Sequence, residues 1–228
     1  MEQINITEYE KKYAIKKHPS IKDLQIIDGK NNFPISWIDK QDYCEYQIYL
    51  EYIKGIKTHP AIPETHKSQI HKELEDIFRQ DAEPAEFWDA VETSKTQDLM
   101  SRKVSIISPK YGIRGNIDEI WMKSNEIVII NDKPGRTPYN SSMNQTRACC
   151  LAFKDMSSDE RTIKSALRER GTDNLFWIEV FTPEVEKKII STVNRIHTLI
   201  EGNETFKSSE NPRKCRSCRF KNICENEK

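Results

Sequence analysis

The stretch from residue 102 to residue 135 constrains the fold more than any other part of the chain. Apolar and β-branched residues there come in short runs separated by tight turns, a pattern typical of consecutive strands. The last run, residues 127–130, is entirely β-branched and leads directly into Asn131, Asp132 and Lys133. A buried strand with such a polar end is a candidate functional site. The predicted strands lie near 103–108, 112–122 and 126–133.

Helical patterns flank these strands on both sides. The helix that begins after Thr182 is the clearest, since a capping Thr precedes Pro183 at the first helical position and acids fill the first turn. The element order predicts a mixed α/β fold with a helical lobe in front. Helices are predicted over 35–55, about 65–79, the first part of 84–100, 137–156 and 182–202, and one further strand over 174–181.

Composition narrows the functional classes. The chain has 36 basic and 36 acidic residues among 228, so any contact with nucleic acid must come from a local basic patch. No apolar run approaches the roughly 18 residues that span a bilayer, and the N-terminal residues lack the apolar stretch of a signal peptide. We therefore expect a cytoplasmic protein without a membrane partner, in which clustered cysteines bind metal more often than they form disulfides.

The C-terminal tail carries such a cluster. Cys215, Cys218 and Cys224 follow the pattern C-x2-C-x5-C, and Cys44 on the first predicted helix is the natural fourth ligand. Thiolate ligation fits an iron–sulfur cluster or a structural zinc, and the spacing does not distinguish them. Three unrelated free cysteines are the simpler alternative. A solvated surface is the simpler alternative to a phosphate-contacting patch for the tail's basic residues, which are Arg213, Lys214, Arg216, Arg219 and Lys221.

The strand ends supply a second constellation. Asp118 lies on the middle strand, and Asn131 and Lys133 are two residues apart on the third, so both face the same side of it. A carboxylate beside a strand that ends in lysine can hold a divalent cation against a phosphodiester, while the lysine orients water or stabilises developing charge. The alternative is an ordinary polar strand end.

Six segments in order give these residues a context. They are "DYCEYQIYLEYIKGI", "KSQIHKELE", "GIRGNIDEI", "IVIINDKPG", "NQTRACCLAF" and "CRSCRFKNIC". In order and spacing, over about residues 35–226, they resemble the RecB-like branch of the PD-(D/E)xK nucleases, and most of all the CRISPR-associated protein 4 family of iron–sulfur exonucleases. The resemblance implies a restriction-endonuclease-like α/β core, a mixed central sheet flanked by helices. It further implies a helical lobe within 1–100, the nuclease core at 101–204 and an iron–sulfur tail at 205–228.

The resemblance also implies roles for individual residues. The thiolates of Cys44, Cys215, Cys218 and Cys224 match the ligands of a 4Fe–4S cluster rather than zinc. Gln145 matches a glutamine that positions the active-site lysine or the DNA. The residues that match the catalytic positions are Asp118, Asn131, Lys133 and Gln145, and those that match the ligands of Mg²⁺ or Mn²⁺ are His71, Asp118, Asn131 and the backbone carbonyl of Asp132.

Three functions are compatible with the sequence. The first is a metal-dependent DNA nuclease, an exonuclease on single-stranded ends or overhangs, with spacer acquisition and a CRISPR integrase complex as its implied context. The second is a non-catalytic protein on the same fold that binds DNA ends or acts as an adaptor. The third is a zinc-stapled scaffold with no role on nucleic acid.

Asn131 stands where the family motif has a metal-binding acid. Its amide oxygen is a neutral and weaker ligand for Mg²⁺ or Mn²⁺. Asp132 should face the opposite side of the strand, and a register shift that brought it in would turn Lys133 away. Asn131 could be an engineered Asp→Asn change, a natural feature of a non-cleaving member, or a ligand that suffices with help from the other donors. The otherwise complete set of motifs favours a protein whose normal form is active.

Overall fold

The computed structural model describes residues 1–58 and 82–226, which form a mixed α/β fold on a large sheet flanked by helices. The strands are β1 (Glu2–Asn5), β2 (Ile15–Lys17), β3 (Gln25–Ile27), β4 (Lys30–Pro34), β5 (Glu83–Glu86), β6 (Leu99–Ser108), β7 (Ile113–Met122), β8 (Glu126–Lys133), β9 (Thr162–Glu169) and β10 (Leu175–Val180). The α-helices are α1 (Thr7–Glu10), α2 (Ser36–Cys44), α3 (Tyr46–Ile48), α4 (Phe87–Thr93), α5 (Asn140–Ser157), α6 (Pro183–Ile200), α7 (Pro212–Arg216) and α8 (Lys221–Asn226), and a π-helical turn covers Tyr49–Ile53.

Eight of the described strands form one sheet in the order β10-β9-β8-β7-β4-β3-β2, with β6 also paired to β7. The strands β6, β7 and β8 are antiparallel neighbours, whereas β8 and β9 are parallel and are connected through α5. The two short strands β1 and β5 form a separate parallel pair. This sheet brings the C-terminal end of β8 beside the middle of β7.

The sheet forks along one edge of β7. Strand β6 pairs with β7 over its whole length, from Leu99↔Met122 to Ser108↔Ile113. The opposite edge is divided, because β4 pairs only with the first two residues of β7 and the β8 ladder begins at Glu119↔Ile130. Residues 115–118, which we call the fork, lie between these two neighbours. Asp118 is the last residue of the fork.

The core explains why β8 is apolar throughout its middle. Ile127 and Ile129 face the main core, which also contains the buried side of α5 and the apolar stripe of α6. Val128 and Ile130 face the other side of the sheet and pack with Ala166 in a smaller cluster. Both faces of β8 are therefore buried, as in parallel sheets covered on two sides.

Several predicted elements are confirmed closely. The three strands of the 102–135 stretch are β6, β7 and β8, and the strand predicted at 174–181 is β10. The helix expected after Thr182 is α6, which begins at Pro183, and the Thr182 side chain accepts a hydrogen bond of 3.4 Å from the N–H of Val185.

Other elements differ from the prediction. Helix α5 begins at Asn140 and not near Thr137, because Tyr139 still has an extended backbone and occupies the N-cap position. The helix predicted over 35–55 is divided into α2, α3 and the π-helical turn. The segment 84–100 contains parts of β5 and β6 around the short helix α4, and residues that had no clear pattern at 157–170 contain β9.

The N-terminal part of the chain is more than a helical lobe. Residues 1–34 contribute β1 to β4, and β2, β3 and β4 extend the central sheet. The connection to β7 consists of two paired positions, Phe33↔Ile113 and Pro34↔Arg114. The helix predicted over about 65–79 lies outside the described residues. The helical lobe and the boundaries at 100 and 204 therefore stay predictions.

None of the helices in residues 1–58 and 82–226 combines the length and the apolar character needed to cross a bilayer.

Candidate functional site

Asp118 and Asn131 meet where the β7–β8 ladder ends. The last paired positions are Glu119 and Ile130, so these two residues come next on their strands. The Oδ2 atom of Asp118 accepts a hydrogen bond of 2.9 Å from the backbone N–H of Asp132. The Asp118 carboxylate thus replaces a backbone acceptor at the fork and ties the end of β8 to β7.

Asn131 is buried, with 3% of its surface exposed, and helix α5 supplies its partners. Its Nδ2 donates to Oγ1 of Thr146 at 3.1 Å and lies 3.8 Å from Sγ of Cys149. Thr146 in turn donates its hydroxyl proton to the carbonyl of Ser142 at 3.0 Å. The Thr146 oxygen is therefore used as an acceptor at Asn131, and an amide satisfies that acceptor where a carboxylate, which has no N–H, does not.

Lys133 also faces α5. Its ammonium donates to Oε1 of Gln145 at 2.6 Å, so the two residues that the resemblance linked are in direct contact. Asn131 and Lys133 contact the same helix, whereas Asp132 between them points to the other side of the strand and binds Arg168. The described geometry contains neither a bulge nor a register shift that would bring the Asp132 carboxylate to the site.

A buried ionic network holds Asp132 on the far side. The Arg168 guanidinium bonds Asp132 at 2.8 Å and Glu119 at 2.7 Å, and Arg102 bonds Glu119 at 2.6 Å. Burial alone would raise the pKa of Glu119, but the hydrogen bonds and charge of Arg168, with the charge of Arg102, hold that pKa below its usual value. The sequence reasoning missed this network, whose only signal was the polar residues among the apolar ones of β7, β8 and β9.

A second lysine reaches the site from β6. The ammonium of Lys103 lies 3.0 Å from Oδ1 of Asp118, the oxygen that the Asp132 N–H does not use. Lys103 has a left-handed backbone, with φ of 52°. Both carboxylate oxygens of Asp118 therefore have partners within the protein. No sequence motif marks Lys103 as a residue of this site.

The buried side chain of Cys149 contacts Asn131 and is neutral. Burial raises the pKa of its thiol to about 12, and the negative charge of Asp118 acts in the same direction, while the hydrogen bond with Asn131 and the charge of Lys133 lower that pKa. The thiol is consequently protonated at neutral pH and adds no charge to the site.

A cavity of about 1430 Å³ opens beside the end of β8, between the N-terminus of α5, helix α2 and the C-terminal tail. Two tyrosines line it, Tyr43 and Tyr139, and Tyr139 is 64% exposed. Asp118 and Asn131 are not among the described residues that line the cavity, so it meets the site at its lysine. The predicted site residues that do line it are Asp132, Lys133, Lys214, Cys218 and Arg219.

The basic residues of the tail are divided between cavity and surface. Lys214 donates to the backbone carbonyl of Asp42 at 2.8 Å, and Arg219 pairs with Glu51. Lys221 lies 3.9 Å from Glu225. Arg213 and Arg216 are exposed on α7. The described structure thus places Lys214 and Arg219 in the same cavity as Lys133.

The tail cysteines approach Cys44 through Ser209. Cys44 Sγ accepts from the Ser209 N–H at 3.2 Å, Cys215 Sγ lies 3.4 Å from the Ser209 carbonyl, and Cys218 Sγ accepts from Gln47 at 3.3 Å. Cys224 lies on α8, one short segment later. Within residues 1–58 and 82–226, no three His, Cys, Asp or Glu side chains are positioned to hold a metal ion. Thiolate donors suit an iron–sulfur cluster in kind, and the cluster stays a prediction.

The donors at the fork suit a hard divalent cation in type. The Asp118 carboxylate, the Asn131 amide and the Asp132 carbonyl all offer oxygen, the ligand atom that Mg²⁺ and Mn²⁺ prefer. The set carries a single negative charge. His71, the fourth expected ligand, lies outside the described residues.

Comparisons with known proteins identify no family for this chain. No family model matches it, and no curated protein matches it. Two solved structures are similar over most of its length. The crystal structure of SSO0001 is 14% identical, with 93% of this chain and 89% of that chain covered and a TM-score of 0.44. A candidate exonuclease from Eubacterium rectale is 13% identical, with 86% and 88% covered and a TM-score of 0.46. At these scores neither likeness defines the fold or the activity of this chain.

Proposed function

We propose that this chain is a metal-dependent DNA nuclease that acts on single-stranded ends or overhangs, with an activity that Asn131 keeps low. The observation that carries the proposal is the convergence at the end of β8. Asn131 and Lys133 face α5, Lys133 contacts Gln145, and Asp118 binds the β8 backbone from the fork. This is an acid, an amide in place of an acid, and a lysine oriented by a glutamine, beside a basic cavity.

Lys133 has the clearest chemical role. Gln145 accepts one of its ammonium protons at 2.6 Å, which leaves the other two to bind phosphate oxygens. In hydrolysis, water adds to phosphorus and one P–O ester bond breaks, giving a phosphate monoester and an alcohol. The ammonium stabilises the negative charge that grows on the phosphate oxygens. A divalent cation held by Asp118, Asn131 and the Asp132 carbonyl, with His71, would polarise the phosphoryl group and activate water.

The cavity supports a single strand as the substrate. It joins Lys133 to Lys214 and Arg219 of the tail, so one continuous space offers several cations to a phosphate backbone. Tyr43 and Tyr139 on its wall offer rings on which unpaired bases can stack. A paired duplex would not present its base faces to these rings.

A specific observation also favours a second candidate, a non-catalytic protein that binds DNA ends. The Asn131 amide is used as a donor to Thr146, and the Asp118 carboxylate is already paired with Lys103. Both contacts suit a site without a cation. In this candidate the cavity and tail bind DNA, or an integrase partner in spacer acquisition, and no bond is broken.

Cleavage of labelled single-stranded DNA separates the two candidates. The unchanged protein, Asn131→Asp and the double variant Asn131→Asp with Lys133→Met are compared in Mg²⁺ and in Mn²⁺ on several DNA ends. We expect at least about tenfold faster cleavage by Asn131→Asp, because a second carboxylate strengthens the cation site, and loss of that gain in the double variant. Absence of cleavage by Asn131→Asp, together with tight and salt-sensitive DNA binding, would select the second candidate instead.

A further inference from the structure

We infer that Lys103 is the internal counter-ion of Asp118 and competes with a divalent cation for that carboxylate. The inference deepens the proposed function, since it concerns the cation that the proposed nuclease requires. It starts from the ion pair of 3.0 Å between Lys103 Nζ and Asp118 Oδ1.

The hairpin itself places Lys103 at this position. Arg102 pairs with Glu119 and Val104 pairs with Ile117, so the register puts Lys103 opposite Asp118. The ladder skips this one position, where Lys103 has a φ of 52°. A left-handed backbone is unfavourable for a lysine, so the surrounding strands must impose it. The distortion coincides with the one residue of β6 that faces the proposed cation ligand.

The charges at the site determine how the Lys103–Asp118 ion pair affects cation binding. Asp118 is the one carboxylate that the described residues bring to the fork on the α5 side, and Lys103 and Lys133 are both cationic. The Asn131 amide is neutral. With its other oxygen bound to the Asp132 N–H, Asp118 offers a cation only oxygens that are already hydrogen-bonded, and the Lys103 ammonium repels a cation that approaches them.

Asn131 makes this competition more severe. With an acid at position 131, one carboxylate could neutralise Lys103 while both contributed to a cation. With an amide there, the cation and Lys103 compete for a single charge. Lys103 and Asn131 therefore act in the same direction, and each lowers the affinity of the site for a divalent cation.

The test is the affinity of the DNA-free protein for Mn²⁺, measured by calorimetry and by the loss of the free Mn²⁺ electron paramagnetic resonance signal. Lys103→Gly removes the ammonium and suits the left-handed backbone, so it does not threaten folding. Lys103→Met is the second variant. We expect both to bind Mn²⁺ about tenfold more tightly than the unchanged protein.

Lys164→Met is the matched control. Lys164 pairs with Glu126 at 2.6 Å on β9, away from the site, and the two side chains are 29% and 22% exposed. Those of Lys103 and Asp118 are 30% and 23% exposed, so the two ion pairs have equal access to solvent. Loss of the Lys164 charge should leave the Mn²⁺ affinity unchanged, because Glu126 is not a ligand.

The inference is overturned if both Lys103 variants bind Mn²⁺ no more tightly than the unchanged protein, or if Lys164→Met gives the same gain. Its outcome is separable from that of the proposed function. Tighter Mn²⁺ binding by the Lys103 variants, with no DNA cleavage by Asn131→Asp, would retain the counter-ion and reject the nuclease. Cleavage by Asn131→Asp, with no tighter Mn²⁺ binding by the Lys103 variants, would retain the nuclease and reject the counter-ion.

Discussion

At the scale of single residues, the side chain at position 131 determines the charge and the hydrogen-bond donors of the site. Asn131 is 3% exposed, and its amide donates to a threonine oxygen whose own proton is committed to a carbonyl of α5. A carboxylate in this place loses the donor and brings a charge into a buried site. A bound divalent cation would supply a compensating charge in addition to those of Lys103 and Lys133.

This gives a prediction for stability. Asn131→Asp should lower the free energy of unfolding by about 1–3 kcal/mol in the presence of a chelator, since it buries a charge and leaves the Thr146 oxygen without its donor. Mn²⁺ should restore more stability to this variant than to the unchanged protein, because binding to the folded state alone stabilises it. Urea unfolding with and without Mn²⁺ measures both effects.

Asn116→Asp on the neighbouring strand β7 provides the comparison. Asn116 is exposed and bonds Ser105 at 3.0 Å, so its replacement should change stability by no more than about 0.5 kcal/mol in either condition. Equal stability of Asn131→Asp and the unchanged protein in chelator would contradict the account of Asn131 as an amide site.

At the scale of elements, the end of β8 is held from both faces of the sheet. On one face α5 binds Asn131 and Lys133. On the other, Arg168 of β9 binds Asp132 and Glu119 and is itself 3% exposed. Contacts on both faces thus fix the side to which each of the last three side chains of β8 points. They keep Lys133 on the side of α5, beside Asn131.

Arg168→Met should therefore destabilise the strand end. It removes the guanidinium that both Glu119 and Asp132 contact and leaves Glu119 with Arg102, and we expect a loss of about 3–5 kcal/mol near pH 7. In the unchanged protein the depressed pKa of Glu119 contributes stability that is present above its unfolded pKa and is lost as pH falls through the folded value. In the variant Glu119 loses the main cause of its depressed pKa, so less of this stability remains to be lost and the deficit should shrink as pH falls.

Chemical denaturation at pH 7.5 and pH 5 measures this difference. Arg136→Met is the control, because Arg136 pairs with Glu169 at 2.7 Å but its side chain is 67% exposed. That variant should lose no more than about 1 kcal/mol at either pH. A deficit of Arg168→Met that is constant or grows towards pH 5 would argue against a buried charge network.

The strands and helices differ in how far the sequence predicts them. β6, β7 and β8 are recognisable because alternation and turns define them locally. β2, β3 and β4 have only three to five residues each, and β4 joins β7 through two described positions, so tertiary pairing and not local pattern determines them. The start of α5 depends on the backbone of Tyr139, which no residue preference fixes.

The residues of the candidate site also differ in how far the sequence predicts them. Asp118, Asn131, Lys133 and Gln145 are recognisable from motifs, and the structure brings them together. Lys103 and Arg168 are not, because each acts through a partner on another strand. The hairpin register was the missing signal for Lys103, since counting back from the turn between β6 and β7 pairs position 103 with position 118. Nothing local marks Arg168, whose two partners lie on different strands.

At the scale of the whole molecule, the C-terminal tail meets helix α2. The Tyr43 hydroxyl donates to the Lys214 carbonyl at 2.6 Å, and the Lys214 ammonium donates to the Asp42 carbonyl at 2.8 Å. Arg195 of α6 pairs with Glu45 at 2.8 Å immediately after α2. These contacts bring the cysteines of the tail beside Cys44, some 170 residues away in sequence. A cluster shared by Cys44 and the tail would close a loop that contains β5 to β10.

The last prediction concerns this cluster. Protein isolated without oxygen should be brown and contain iron and acid-labile sulfide in the ratio of a 4Fe–4S cluster. Cys44→Ala and Cys215→Ala should each lose colour and iron and unfold at lower urea concentration, because the ligation that links the ends is broken. Cys150→Ala is the matched control, since Cys150 is fully buried in α5 and far from the tail in sequence.

Visible absorption, iron and sulfide content and urea midpoints provide the measurements. A colourless protein that contains zinc in one-to-one ratio would contradict the iron–sulfur prediction. It would indicate a structural zinc held by the same thiolates. Retention of the full iron content by Cys44→Ala would show that Cys44 is not a ligand and that the cluster does not link the tail to α2. In that case the contacts of Tyr43, Lys214 and Glu45, and not a shared metal centre, would hold the tail against α2 beside the cavity.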